Sequence, residues 1–108
     1  MTDLQAPNGT ASAKSKPALF QPARVGNIQL KHRVVLAPLT RNRANVAHTH
    51  TDLAVEYYRQ RASVPGTLLI TEAVTIVPEA TGRPHVPGIW SEDQVHAWKK
   101  ASACAFSY

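Results

Sequence analysis

A hydroxyl, a carboxylate and a pair of imidazoles are the groups in this 108-residue chain that could do chemistry. Thr40 ends the run Val34-Val35-Leu36-Ala37-Pro38-Leu39 and is followed at once by Arg41, Asn42 and Arg43. Glu72 stands in the same relation to the run Thr67 to Ile70, where a carboxylate could act as a general base or belong to a structural turn, and its role stays open. His48 and His50 lie two apart, with His32 and His85 elsewhere, and imidazole is a common metal ligand. A tetrahedral site needs further ligands in a closed geometry, however, and no Cys or carboxylate cluster accompanies the pair. The histidines therefore read as solvated loop residues, with no metal site expected. Thr40, taken by residue type alone, reads as a hydroxyl closing a turn at a strand end. No glycine-rich phosphate loop, nucleophile elbow or Ser-His-Asp arrangement is present.

The elements that must carry these groups follow from periodicity. Val34 to Ala37 is an uninterrupted apolar run closed by a polar turn, the pattern of a strand buried on both faces of a parallel sheet. Chemistry in such sheets collects at the carboxyl edge, where Leu39 and Thr40 would sit. A helix is predicted from Thr51 or Asp52, either of which can cap its first turn. Leu53, Ala54, Tyr57, Tyr58 and Ala62 share its apolar face, so the two tyrosines read as packing residues. Ser63 to Gly66 stops it, and Thr67 to Ile70 forms a second strand, giving a parallel strand-helix-strand crossover.

Ahead of this unit, Leu19 and Phe20 supply an apolar anchor, and Ala23 to Val25 and Ile28 to Leu30 flank Gly26-Asn27, a two-residue hairpin signal. After it comes a connection from Val74 to Trp90 rich in proline and glycine. This exceeds the ~12–15 residues beyond which a structureless loop tends to be functional or disordered, and it leaves from the carboxyl end of a strand, the face that carries chemistry. A second helix begins at Ser91, with Gln94 completing a capping box. Glu92 and Asp93 in its first turn and Lys99 and Lys100 in a later one suit the helix dipole. Val95, Trp98 and Ser102 or Ala101 line one side. The rhythm is that of an α/β architecture.

Composition bounds the possible functions. The net charge of +5 could suit nucleic acid, but the twelve basic residues are spread along the chain without a recognition helix or an aromatic-interleaved patch. A basic nucleic-acid-binding module is therefore the weaker alternative. No apolar stretch approaches the ~18 residues of a membrane span. Cys104 is the lone cysteine, which excludes an internal disulfide. Residues 1–18, rich in Ala, Ser, Pro and Lys, read as a disordered tail that is neither a secretory nor a mitochondrial leader, and a cytoplasmic location is expected.

Four blocks, LFQPARVGNIQLKHRVVLAPLTRNRA, DLAVEYYRQRAS, GTLLITEA and HVPGIWSEDQVHAWKK, occur in this order. Together they make the chain from about Leu19 to Lys100 resemble the N-terminal portion of the old yellow enzyme family, its fungal members above all. These are FMN-dependent ene-reductases built on a (β/α)8 barrel. The resemblance implies that residues 19–108 are the hairpin and about two strand-helix units of such an α/β barrel, left incomplete. It implies FMN as cofactor, with NAD(P)H and a small unsaturated carbonyl compound as reactants.

By the same resemblance, Pro38, Leu39 and Thr40 would be the flavin-contacting end of the first barrel strand. The Thr40 hydroxyl would donate to a ring carbonyl and stabilise the electron density of the reduced flavin. Ala73 would be a second contact, small enough for backbone to approach the ring. The family's other site elements fall beyond residue 108: a Gln on the third strand, the His-x-x-Asn or His-x-x-His pair, the proton-donating Tyr and the residues holding the phosphate. No catalytic residue is therefore assigned. After Lys100 the text Ala101 to Tyr108 departs from the family pattern, which suggests a frameshift, an altered splice or a gene-model error. Two functions stand side by side: an FMN-dependent oxidoreductase reducing activated alkenes, and a non-catalytic remnant of one that cannot hold FMN alone.

Overall fold

The computed structural model describes residues 14–105, so most of the tail expected over residues 1–18 lies outside the described residues. Regular structure begins with a short 3-10 turn, Ala18–Phe20, which is joined to the body of the chain by the Arg33 amide donating to the Leu19 carbonyl at 2.8 Å. Strands β1 (Ala23–Val25) and β2 (Ile28–Leu30) pair antiparallel, with Val25 opposite Ile28. Gly26 has φ +57°, and Asn27 is not among the residues with positive φ. Positive φ at the first central position alone is the pattern of a type II′ turn, which matches the twist of the flanking strands.

β3 (Val35–Leu36) and β4 (Leu68–Leu69) form a parallel pair, with Val35 opposite Leu68 and Leu36 opposite Leu69. Both are shorter than the apolar runs that encode them. Nor are they buried on both faces: Val34, Val35 and Ile70 remain 45%, 40% and 44% exposed. Among the described residues each strand has one neighbour in the sheet, so part of the apolar surface written into these runs stays exposed.

Helix α1 (Asp52–Arg61) crosses between them. Thr51 stands at the cap position, but its hydroxyl donates to the Arg43 carbonyl at 3.2 Å and caps no helical amide. The buried face is narrower than the pattern suggests. Ala54, Tyr58 and Ala62, four apart, are buried, Tyr57 is half-buried, and Leu53 is 65% exposed. Asp52 at the start and Arg59 and Arg61 at the end complement the helix dipole.

Helix α2 (Glu92–Ala105) packs on α1, and Ala54, Tyr58 and Ala101 form the buried cluster between them, with Leu36, Val55, Tyr57 and Trp98 against it. The capping box is formed: the Gln94 amide donates to Ser91 Oγ at 3.3 Å, and Gln94 Oε1 accepts from the amides of Ser91 (3.1 Å) and Trp90 (2.8 Å). Because α2 runs on to Ala105, Lys99 and Lys100 fall short of its last turn. Lys100 reaches across to pair with Asp52 on α1.

The long connection is tied down. It contains a 3-10 turn, Pro78–Ala80, and a bridge pairing Thr75 with Gly88. Val86, Pro87 and Gly88 are buried, and a Cβ on Gly88 would sit 2.2 Å from a carbon of the Trp90 ring. Glycine is needed there for close approach. No helix among the described residues is long and apolar enough to cross a membrane.

Candidate functional site

The carboxyl ends of β3 and β4 open on one exposed edge. Pro38, Leu39 and Thr40 follow β3 and are all exposed, and Ala73, four residues beyond Leu69, is exposed as well. A tight turn, closed by the Leu39 amide donating to the Ala37 carbonyl at 2.9 Å, brings the chain to Thr40. Thr40 is not needed to close it, and its hydroxyl has no partner among the described residues. The edge thus offers an unengaged donor, exposed backbone and a small side chain.

Glu72 joins the two halves of this edge. Its side chain turns inward, leaving the residue 3% exposed. Oε2 accepts the Arg41 amide at 3.1 Å, and Oε1 lies 3.4 Å from the Tyr58 hydroxyl, which donates to it. The Glu72 amide donates in turn to the Tyr58 oxygen at 3.2 Å. One carboxylate therefore ties the residue after Thr40 to the residue before Ala73 and anchors both to α1. A buried carboxylate with both oxygens engaged is a clasp, not an accessible general base. Burial, more than the neighbouring Glu72 charge, pushes the Tyr58 phenol up to about 12.

The histidines are not free loop residues as their polar, irregular setting suggests: His50 is buried, His32 and His48 are half-buried, and His85, though exposed, is anchored through its ring. His50 is buried against Trp98, with ring centres 4.2 Å apart in an edge-on arrangement, and its Nε2 lies 4.0 Å from Glu72 Oε1. Among the described residues neither ring nitrogen has a hydrogen-bond partner, and burial lowers its pKa to about 4, so the ring is neutral at pH 7. His48 Nδ1 donates to the Val86 carbonyl at 2.7 Å, and His85 Nδ1 donates to that of Ala44 at 2.8 Å. His32 Nδ1 accepts the Val34 amide while Nε2 meets Thr67 Oγ1 at 2.8 Å; that hydroxyl donates to Val64, so the Nε2–H tautomer is required. These four imidazoles are spent on packing and loop anchoring. No group of three or more His, Cys, Asp or Glu side chains among the described residues could hold a metal ion.

Residue-type reasoning left the Glu72 clasp and the burial of His50 unassigned. Their partners are 14 to 48 residues away, and only the Glu at a strand end hinted at either. A mostly apolar cavity of about 480 Å³ lies elsewhere. Ile28, Leu30, Gly66, Leu68, Trp98 and Ala101 are among its lining, which places it toward the hairpin and the amino end of β4. It is not the edge formed by Pro38–Thr40 and Ala73.

Comparison with known proteins shows the family to which the chain is similar. The model of the NADH:flavin oxidoreductase / NADH oxidase family matches residues 18–103. An NADP-dependent oxidoreductase, lnbE, of Aspergillus flavus is 57% identical over 82 residues, covering 76% of this chain and 22% of the relative. A chanoclavine-I aldehyde reductase, ifgG, of Penicillium roqueforti is 51% identical over 84 residues, covering 78% and 22%. The crystal structure of Old Yellow Enzyme from a Pichia species superposes with a TM-score of 0.78 at 42% identity, covering 82% of this chain and 23% of that one. The chain thus spans about a fifth of the length of the curated relatives it matches.

Proposed function

The chain belongs to the NADH:flavin oxidoreductase / NADH oxidase family, the old yellow enzyme group, and from that premise we propose that it carries one wall of an FMN site, insufficient for catalysis alone. The fold is the corresponding part of an α/β barrel, with the hairpin, parallel strand pair and helices present. Pro38, Leu39, Thr40 and Ala73 would line the flavin edge. The exposed, unpartnered Thr40 hydroxyl would donate to a ring carbonyl, the backbone around Pro38 and Leu39 would shape the edge, and Ala73 would keep it narrow. Glu72 holds these two segments in register from behind. Hydride transfer between NAD(P)H and an activated alkene is what FMN supplies to such a site when bound.

The observation that carries this reading is the parallel pair itself. Two strands whose carboxyl ends are clasped by one carboxylate expose the four residues on a common edge. A flavin needs further sides: a barrel of this kind takes eight strands and roughly 250 residues, and the described residues contribute two strands. The apolar surface left open on Val34, Val35 and Ile70 fits the same conclusion.

The test is to purify the 108-residue chain with added FMN, desalt it and record flavin absorbance, NADPH oxidation and urea unfolding. The expected product is colourless and does not oxidise NADPH. A yellow, cooperatively folded monomer that oxidises NADPH would overturn the claim that this wall is insufficient.

A further inference from the structure

Arg41 and Arg61 both stack on one ring. The Arg41 guanidinium carbon lies 4.8 Å from the centre of Tyr57, and that of Arg61 4.6 Å. Arg41 and Arg43 also line a small cavity of about 130 Å³ together with Leu53, Ala54, Tyr57 and Glu72. None of these three guanidinium groups makes an ion pair or hydrogen bond among the described residues. The nearby carboxylates are committed elsewhere: Glu56 to Arg59, Asp52 to Lys100, and Glu72 to the Arg41 amide and the Tyr58 hydroxyl.

Two cations at 4.8 and 4.6 Å from one ring centre stand no more than about 9.4 Å apart, inside the screening length of about 10 Å at 0.1 M salt. The π-face offsets part of their repulsion. An anion held by these guanidinium groups would offset the rest. Guanidinium forks match the oxygens of phosphate two at a time, which favours that group over a monovalent halide. The cavity has room for one such group and not for a flavin or nucleoside. Glu72 opposes the anion, but its two oxygens are turned to hydrogen-bond donors, so it weakens the site without closing it.

We propose that Arg41, Arg43 and Arg61, gathered around Tyr57, form a site for the phosphate group of a small soluble molecule. The site adjoins the flavin edge through Arg41 and Glu72, but its probes contain no flavin, so its failure is distinguishable from that of the flavin reading. Titrating the full chain with inorganic phosphate and pyrophosphate, read by calorimetry and by 31P line width, tests it. Saturable one-to-one binding is expected, weakened by about tenfold or more in Arg43→Gln and in Arg61→Gln. Lys99→Gln, the same charge change at an exposed position on α2, is expected to leave it unaltered, with far-UV circular dichroism equal in all four proteins. Absence of saturable binding, for whatever reason of folding or affinity, overturns the proposal. So does equal weakening by Lys99→Gln, which would mean diffuse attraction to net charge. Sedimentation with vesicles of phosphatidylcholine and phosphatidic acid, without pyrophosphate binding, would assign the arginines to a lipid headgroup and overturn the soluble ligand.

Discussion

Replacing Gln94 with alanine tests a buried polar junction between α2 and the segment ahead of α1. Gln94 is 1% exposed, and its side chain accepts the Trp90 and Ser91 amides and donates from Nε2 to the Ala47 carbonyl at 3.1 Å. One side chain thus closes the first turn of α2 and fixes the segment ahead of α1, 47 residues away. Truncation removes three hydrogen bonds at a net ~1 kcal/mol each and leaves their backbone partners to be rehydrated, for a total of about 3 kcal/mol. Ser91→Ala removes only the bond from the Gln94 amide, and a cap of this kind is worth about 1 kcal/mol. Urea unfolding followed by far-UV circular dichroism reads the difference. With a slope of about 1–3 kcal/mol per molar, the Gln94→Ala midpoint should fall by one to a few molar and that of Ser91→Ala by about a third as much. If Gln94→Ala costs no more than Ser91→Ala, the bond to Ala47 contributes nothing and the junction is not what holds α2 to the rest.

His50 predicts an acid limb. Its folded pKa of about 4 lies below its unfolded value, so the unfolded chain binds the proton first; stability is complete above about pH 6.5 and falls as the pH drops toward 4. Urea midpoints across that range should decline by up to about 3 kcal/mol equivalent, and His50→Leu should remove that decline; an unchanged profile in the variant would assign the limb to other groups. Gly88→Ala should destabilise by about 1–3 kcal/mol and alter Trp90 fluorescence, because the added methyl meets the indole at 2.2 Å. A fluorescence spectrum and midpoint equal to those of the parent chain would show that the Trp90 ring moves aside freely.

What could be read from the residues was whatever is encoded within a few positions. The hairpin at Gly26-Asn27, the Ser91–Gln94 box and the stop at Pro65-Gly66 depend on local backbone chemistry, and all are present. Strand positions were also legible, since apolar runs at Val34 to Ala37 and Thr67 to Ile70 have few other uses. Their burial was not, because it depends on how many strands lie beside them. Thr51 carries a capping residue's type, yet Arg43 offered its hydroxyl another acceptor. His50 sits in polar text and is buried by Trp98, 48 residues later. The identities of Pro38, Leu39, Thr40 and Ala73 as an edge came from resemblance; spacing alone placed them only at strand ends.

The segments after β3 and β4 are knitted to each other more than to their own strands. Ala44 and His85 exchange two bonds, His48 reaches Val86, and the Gly88 amide returns to His48. Contacts spanning about forty residues form only after both loops have been brought together, so they should be among the last to appear in folding. Once formed, neither loop can open without releasing the other. Amide exchange at Ala44 and Gly88, whose bonds cross between the loops, should therefore follow a single opening event, and the two loops would move as one unit.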